Sequence, residues 1–183
     1  MRALRTFGLV LVCTVAAGLV LPSGSAGQDG RPPADPADVG SVDAIVQALY
    51  DVISGPAGER DWRRWESLFM TGARLVPTGV NRNGQRTSRV LTPTEYSENN
   101  GPFFAENPFF ESEIGRTTEA FGNIIHVFST YQSKRAPDQE PFSRGINSIQ
   151  LMDDGERLWI VTIMWDSERQ ENAIPAKYLD GTH

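Results

Sequence analysis

Four consecutive stretches after residue 109 alternate apolar and polar side chains, and no helical stretch separates them. They are 110–118, 123–131, 142–152 and 158–165. Parallel pairing needs a crossover of a dozen or more residues, usually a helix, so these segments must run as an antiparallel meander. The signals before them are helical. Val42, Ile45, Val46, Leu49 and Ile53 fall on one face of a helix capped by Ser41 and stopped by Ser54-Gly55-Pro56. Trp62, Trp65, Leu68 and Phe69 make a second apolar face over 61–70, with Asp61 as cap. Residues 73–77 and 88–91 read as short strands around the turn Asn81-Arg82-Asn83-Gly84. Thr92-Pro93-Thr94-Glu95 is a capping box that opens a third helix, expected to end before Gly101-Pro102. Helices first and a curled antiparallel sheet afterwards is an α+β order.

The beginning of the chain reads as targeting rather than fold. Arg2 and Arg5 precede an uncharged apolar run from Phe7 to Leu21. That run is short of the roughly 20 residues that span a bilayer. Small residues follow, and Gly24 with Ala26 places signal cleavage after Ala26. The domain plan is therefore a signal peptide over 1–26, a disordered linker over 27–40, a folded domain over 41–179 and a frayed tail over 180–183. The chain is expected to be exported, periplasmic or secreted. Cys13, the single cysteine, lies inside the signal, so the mature chain holds no disulfide and no thiolate. The full chain carries 17 basic and 23 acidic residues. Removing 1–26 takes two arginines and no acid, which leaves 15 against 23, a net charge of −8. Nucleic acid and, after cleavage, membrane surfaces are poor partners for such a chain.

The last hairpin turns at Asp153-Asp154-Gly155-Glu156, and Asp-Gly favours a two-residue turn. Arg144 then faces Trp165, Ile146 faces Ile163, and Asn147 meets Thr162. Both faces of this hairpin are largely apolar, which predicts helices on one face and a partner chain on the other.

The segments Gly55-Pro56-Ala57-Gly58-Glu59-Arg60-Asp61-Trp62, Leu68-Phe69, Phe121 to Tyr131, Arg144 to Leu151 and Trp159-Ile160-Val161 resemble exported members of the nuclear transport factor 2-like (NTF2-like) superfamily. Its branches include the SnoaL-like cyclases, ketosteroid isomerase and scytalone dehydratase. The resemblance covers about residues 41–179. It implies a cone-shaped fold, a bent antiparallel sheet wrapped around about three helices, with an internal cavity and frequent dimerisation through the sheet. In the dehydratase branch a catalytic acid lies a few residues upstream of an Asp-Trp pair. Here the stretch before Asp61-Trp62 has no acid until Glu59, which argues against that chemistry. The cone hosts isomerases, dehydratases, cyclases, hydrolases and pure binding modules, so the fold does not choose among them.

Candidate site residues follow from the strands. His126 shares a face with Ile124, Phe128 and Thr130. It is read as a general base near neutral pH or as a hydrogen-bonded structural histidine. Arg144 could bind an anion or stack on Trp165. Asn147, among apolar residues, needs a partner, either a ligand or a neighbouring strand. Tyr50, Trp62, Trp65, Phe128, Ile146 and Trp165 are candidate pocket walls. Glu111, Glu113 and Glu119 alternate and read as a solvated strand face. No phosphate loop, His-Glu-x-x-His or serine elbow is present, and no metal or cofactor is expected. The expected function is binding of a small, mostly apolar ligand in an internal cavity. The alternative is a SnoaL- or ketosteroid-isomerase-like enzyme with His126 as base and Arg144 or Asn147 steadying the developing anion. A homodimer through the sheet is the expected assembly.

Overall fold

The computed structural model describes residues 31–179 together with Gly181 and Thr182. The expected signal peptide and the first part of the expected linker lie outside the described residues. Among the described residues a short helical turn, three longer capped helices and a curved mixed sheet make up the fold, in the α+β order expected from the sequence. Helix α2 (Val42–Ile53) begins where Ser41 accepts from Ala44 N, and it buries Ile45, Val46, Leu49, Tyr50 and Ile53. Helix α3 (Trp62–Ser67) begins at Asp61, which accepts from Arg64 N at 2.9 Å. It stops three residues earlier than its apolar face suggests, because Phe69 already pairs with Ile160 in strand β1 (Phe69–Val80). After β2 (Arg86–Ser88), helix α4 (Pro93–Glu106) opens on the capping box. It continues through Gly101-Pro102 to Glu106 rather than ending before them.

The meander is as expected: β3 (Phe110–Phe121), β4 (Ile124–Lys134), β5 (Ser143–Asp153) and β6 (Leu158–Ser167), each antiparallel to the next. β1 adds in parallel to β6. The linker expectation needs correction where the structure describes it. Residues Pro36–Val39 form a helical turn, α1, and Val39 joins the core. Asp38 holds Arg64 through two hydrogen bonds of 2.8 Å, and Arg31 reaches Glu66 at 2.6 Å. The tail also does more than fray. A 3₁₀ turn at Ala176–Tyr178 leads into β7 (Gly181–Thr182), which pairs in parallel with β3 at Gly115 and Arg116.

The register of the last hairpin is corrected too. The strands close at Asp153 and Leu158, with a four-residue loop that Asp154 pins by accepting from Glu156 N and Arg157 N. An irregularity at Gln150/Leu151 then shifts the pairing once more. Asn147 therefore faces Trp165, Ile146 faces Asp166, and Arg144 faces Gln132 across β4. The inner, helix-covered face of the sheet carries Val127, Ser129, Tyr131, Asn147, Ile149 and Ile163. The opposite face carries His126, Phe128, Ile146, Ser148 and Met164.

Candidate functional site

A cavity of about 240 Å³ lies between the helices and the inner face of the sheet. Helix α2 contributes Leu49, Tyr50 and Ile53, α3 contributes Trp65, and α4 contributes Tyr96, Asn100, Phe103 and Phe104. The sheet closes it with Leu75, Glu111, Tyr131, Asn147, Ile163 and Trp165, and Phe109 stands at the start of β3. Eight of the fifteen lining residues are aromatic, so a ligand would lie mainly on rings. Trp65 is held by its indole N–H, which donates to Pro93 O at 3.0 Å, and by stacking on Tyr96 with ring centres 4.7 Å apart.

Two acids of β3 point inward, which the alternation alone conceals. A bulge between Glu113 and Gly115 reverses the pleat. Before it Glu111 and Glu113 face in, opposite Ser133 and Tyr131. After it Glu119 faces out, opposite His126. The reading of all three as one solvated face therefore holds only for Glu119. Glu113 is bound to Arg116 by three hydrogen bonds of 2.6–3.0 Å, and Arg116 also meets Asp43. Glu111 accepts from Ser133 Oγ at 2.7 Å. Burial pushes its carboxyl up to about 7, and the Ser133 hydrogen bond only partly opposes this. Tyr50 and Tyr96 are pushed upward, first by burial and then by the nearby Glu111 charge, and remain neutral phenols.

A chain of hydrogen bonds fixes the polarity of the site. Both oxygens of Glu113 take N–H donors from Arg116, so Glu113 accepts from Ser129 Oγ. Ser129 has one proton and has spent it. Its contact with Tyr50 Oη, at 2.7 Å, must then be donated by the phenol. Tyr50 in turn accepts from Asn147 Nδ2 at 3.0 Å. This sets the amide's orientation. Asn147 Oδ1 has no protein partner among the described residues, yet no buried side-chain oxygen there lacks both a partner and open space. It therefore opens onto the cavity as an acceptor.

Of the residues expected from sequence, Tyr50, Trp65, Asn147 and Trp165 meet in this cavity. Trp62 does not line it. It packs edge-on against Trp65 and tilted against Phe104, behind the wall. Asn147 finds Tyr50 rather than Thr162, because the register is shifted. His126 lies on the other face of the sheet, where Nε2 meets Ser148 Oγ at 3.0 Å. It has no access to the inner cavity and cannot act as a base there. Arg144 is paired with Glu168 at 2.7 Å and does not stack on Trp165 across the strands. Phe128 and Ile146 line a separate space of about 380 Å³ on the outer face, roofed by residues 172–175 and Tyr178. Tyr178 stacks edge-on over Phe128. Sequence reasoning missed Glu111, and the available signal was Ile114-Gly115, a plausible bulge between alternating acids.

Among the described residues no group of acids, histidines and cysteines could hold a metal ion. No helix among them is long and apolar enough to cross a membrane.

No family model and no curated protein matches the chain. Solved structures do. A protein with a cystatin-like fold from Nostoc punctiforme PCC 73102 superposes with a TM-score of 0.55 at 6% identity, over 70% of this chain and 90% of that one. A protein from Kribbella flavida gives a TM-score of 0.53 at 8% identity, over 73% and 92%. An NTF-2 like protein of unknown function from Silicibacter pomeroyi DSS-3 is more distant, with a TM-score of 0.46 at 12% identity over 70% and 94%. At such identities the likeness is one of fold alone: an α+β arrangement of helices against a curved sheet.

Proposed function

We propose that this chain is an exported binding protein for a small, mostly apolar molecule, held in the cavity between helices and sheet. One observation carries the reading: a space of about 240 Å³ remains inside a core whose walls are apolar rings, with two inward acceptors, Glu111 and Asn147. Binding would draw on the area removed from water, at about 25 cal/mol per Å², with the polar groups setting orientation. Phosphates and nucleotides lack any cationic group in the lining, among the described residues.

A second reading is favoured by the carboxyl of Glu111. With a pKa raised to about 7, it could take or return a proton at neutral pH, the role assigned from sequence to His126. Proton transfer would then follow binding in the same cavity.

A thermal-shift screen of the purified chain against small aromatic and alicyclic compounds tests binding. Asn100→Trp, at the half-buried rim on α4, provides the control by filling the entrance. Stabilisation of the wild type that this variant loses supports the cavity. Equal stabilisation of both, or none of either, overturns it.

A further inference from the structure

We propose that the molecule bound in the inner cavity is a small organic amine, carried as its ammonium ion, with Glu111 as its counter-charge and the aromatic walls around its hydrocarbon body. This rests on the binding reading above and names the ligand's chemistry. The two inward acids of β3 are treated differently by the fold. Glu113 has its own cation, Arg116, bonded to both carboxylate oxygens. Glu111 has none. One of its oxygens takes the Ser133 hydroxyl. The other has no protein partner among the described residues and is not sealed from open space. No Lys, Arg or His lines the cavity among those residues.

Two arginines touch rim aromatics from outside the lining. Arg60, beneath Phe104, donates to four backbone carbonyls. Arg135 lies over the Phe103 and Phe142 rings, 5.4 Å and 4.4 Å from their centres. The titratable groups that face Glu111 are the phenols of Tyr50 on α2, Tyr96 on α4 and Tyr131 on β4, all held neutral. A carboxylate in that setting must be neutralised by a proton or by a cation that enters with the ligand. Ring faces attract ammonium ions, and more strongly when water is excluded. An anionic ligand would meet like charge, and a neutral one would leave Glu111 holding its proton. The open Oδ1 of Asn147 is a second acceptor, suited to another N–H or O–H of the same molecule.

The test compares three molecules of one shape: 2-phenylethylamine, 2-phenylethanol and phenylacetate, titrated calorimetrically into the purified chain. At pH 8 the amine should bind at least about tenfold more tightly than the alcohol, and phenylacetate least. At pH 7 amine binding should release about half a proton, read from buffers of different ionisation enthalpy, because a carboxyl with a pKa of about 7 is then half protonated. The alcohol should release none. In Glu111→Gln the amine's advantage should vanish while the alcohol binds as before. An alcohol that binds as well as the amine, with no proton released, overturns the ammonium proposal and leaves the cavity reading standing. Binding of none of the three, with the rim variant also silent in the screen, overturns both. If Glu111→Gln does not fold, proton release by the wild type still decides.

Discussion

At the scale of single residues, the inner face of the sheet separates two kinds of polar group. Ser129, Tyr50 and Asn147 are tied in series to a carboxylate that already has its cation, and this series costs nothing in unpaired charge. Glu111 carries a burial penalty that the Ser133 hydroxyl offsets only in part and no cation of the protein neutralises. The penalty has a measurable consequence. The carboxyl titrates near its ordinary value of 4.5 in the unfolded chain and at about 7 in the folded one. The folded state therefore holds this proton more tightly. The stability Glu111 contributes is complete below pH 4.5 and is lost as the pH rises through 7. The loss is up to about 3 kcal/mol, since each pH unit between the two values is worth roughly 1.4 kcal/mol. Thermal melts at pH 5 and pH 8 should show wild type losing stability over that interval. Glu111→Gln, which keeps the shape and removes the titration, should lose much less and should exceed wild type at pH 8. Parallel pH profiles for the two proteins would refute the assignment.

At the scale of elements, helices and strands were legible where local chemistry decides them. Ser41, Asp61 and Thr92 cap the three helices as their sequence positions dictate, and the period-two alternation marks the meander. What was not legible depends on single insertions in the ladder. One residue at Ile114 turns Glu111 inward and Glu119 outward, and the four-residue loop together with a one-residue irregularity near Leu151 moves Asn147 from Thr162 to Trp165. A slip of one residue exchanges the faces of a strand, so site residues are exposed to such errors even when the strand itself is correctly placed. Pro102 sits inside α4, a case in which tertiary packing overrides a breaker signal. The connection between α2 and α3 was read as a helix stop and as a stretch of resemblance, with no role for Arg60, yet it is organised by that side chain. Arg60, 8% exposed, donates to the carbonyls of Ile53, Gly55, Pro56 and Gly58. The loop it shapes exchanges two backbone hydrogen bonds between Gly55 and Phe109, at 2.7 Å and 3.0 Å, and so positions a cavity wall. Lysine cannot span four acceptors with one ammonium group. Arg60→Lys should cost about 2–3 kcal/mol in urea denaturation, on the scale of losing charged hydrogen bonds to buried carbonyls. A change under about 0.5 kcal/mol, the range of ordinary surface substitutions, would show that the loop holds without it.

At the scale of the whole molecule, the question is what covers the outer face of the sheet. Part of it is covered by the chain itself. Thr130 Oγ1 donates to Tyr178 O at 2.7 Å, and the Tyr178 ring lies on Phe128. Gly115 has no side chain because Tyr178 O passes where a Cβ would stand. The expectation of a partner chain across the entire face is thus narrowed to the region this segment leaves open. There, at the β3–β4 turn, the paired Phe121 and Ile124 are 85% and 62% exposed, while Met164, 46% exposed, borders the outer space roofed by Tyr178. Large apolar side chains clustered on one sheet face mark an association surface. Contact through this face around a two-fold axis would place the same residues on both sides, the arrangement that closes at two copies. A stable interface needs roughly 800 Å² from each partner, so the patch must recruit the neighbouring β4 and β5 side chains, His126 and Gln150 among them. Sedimentation velocity at micromolar concentration should give a dimer. Ile124→Lys should give a monomer with unchanged helix and sheet content, because the position is exposed and carries none of the core. The inner cavity opens on the other side of the sheet, so the monomeric variant should bind its ligand as the dimer does. A wild type that sediments as a clean monomer removes the dimer from the account and leaves Phe121 and Ile124 as solvent-facing residues.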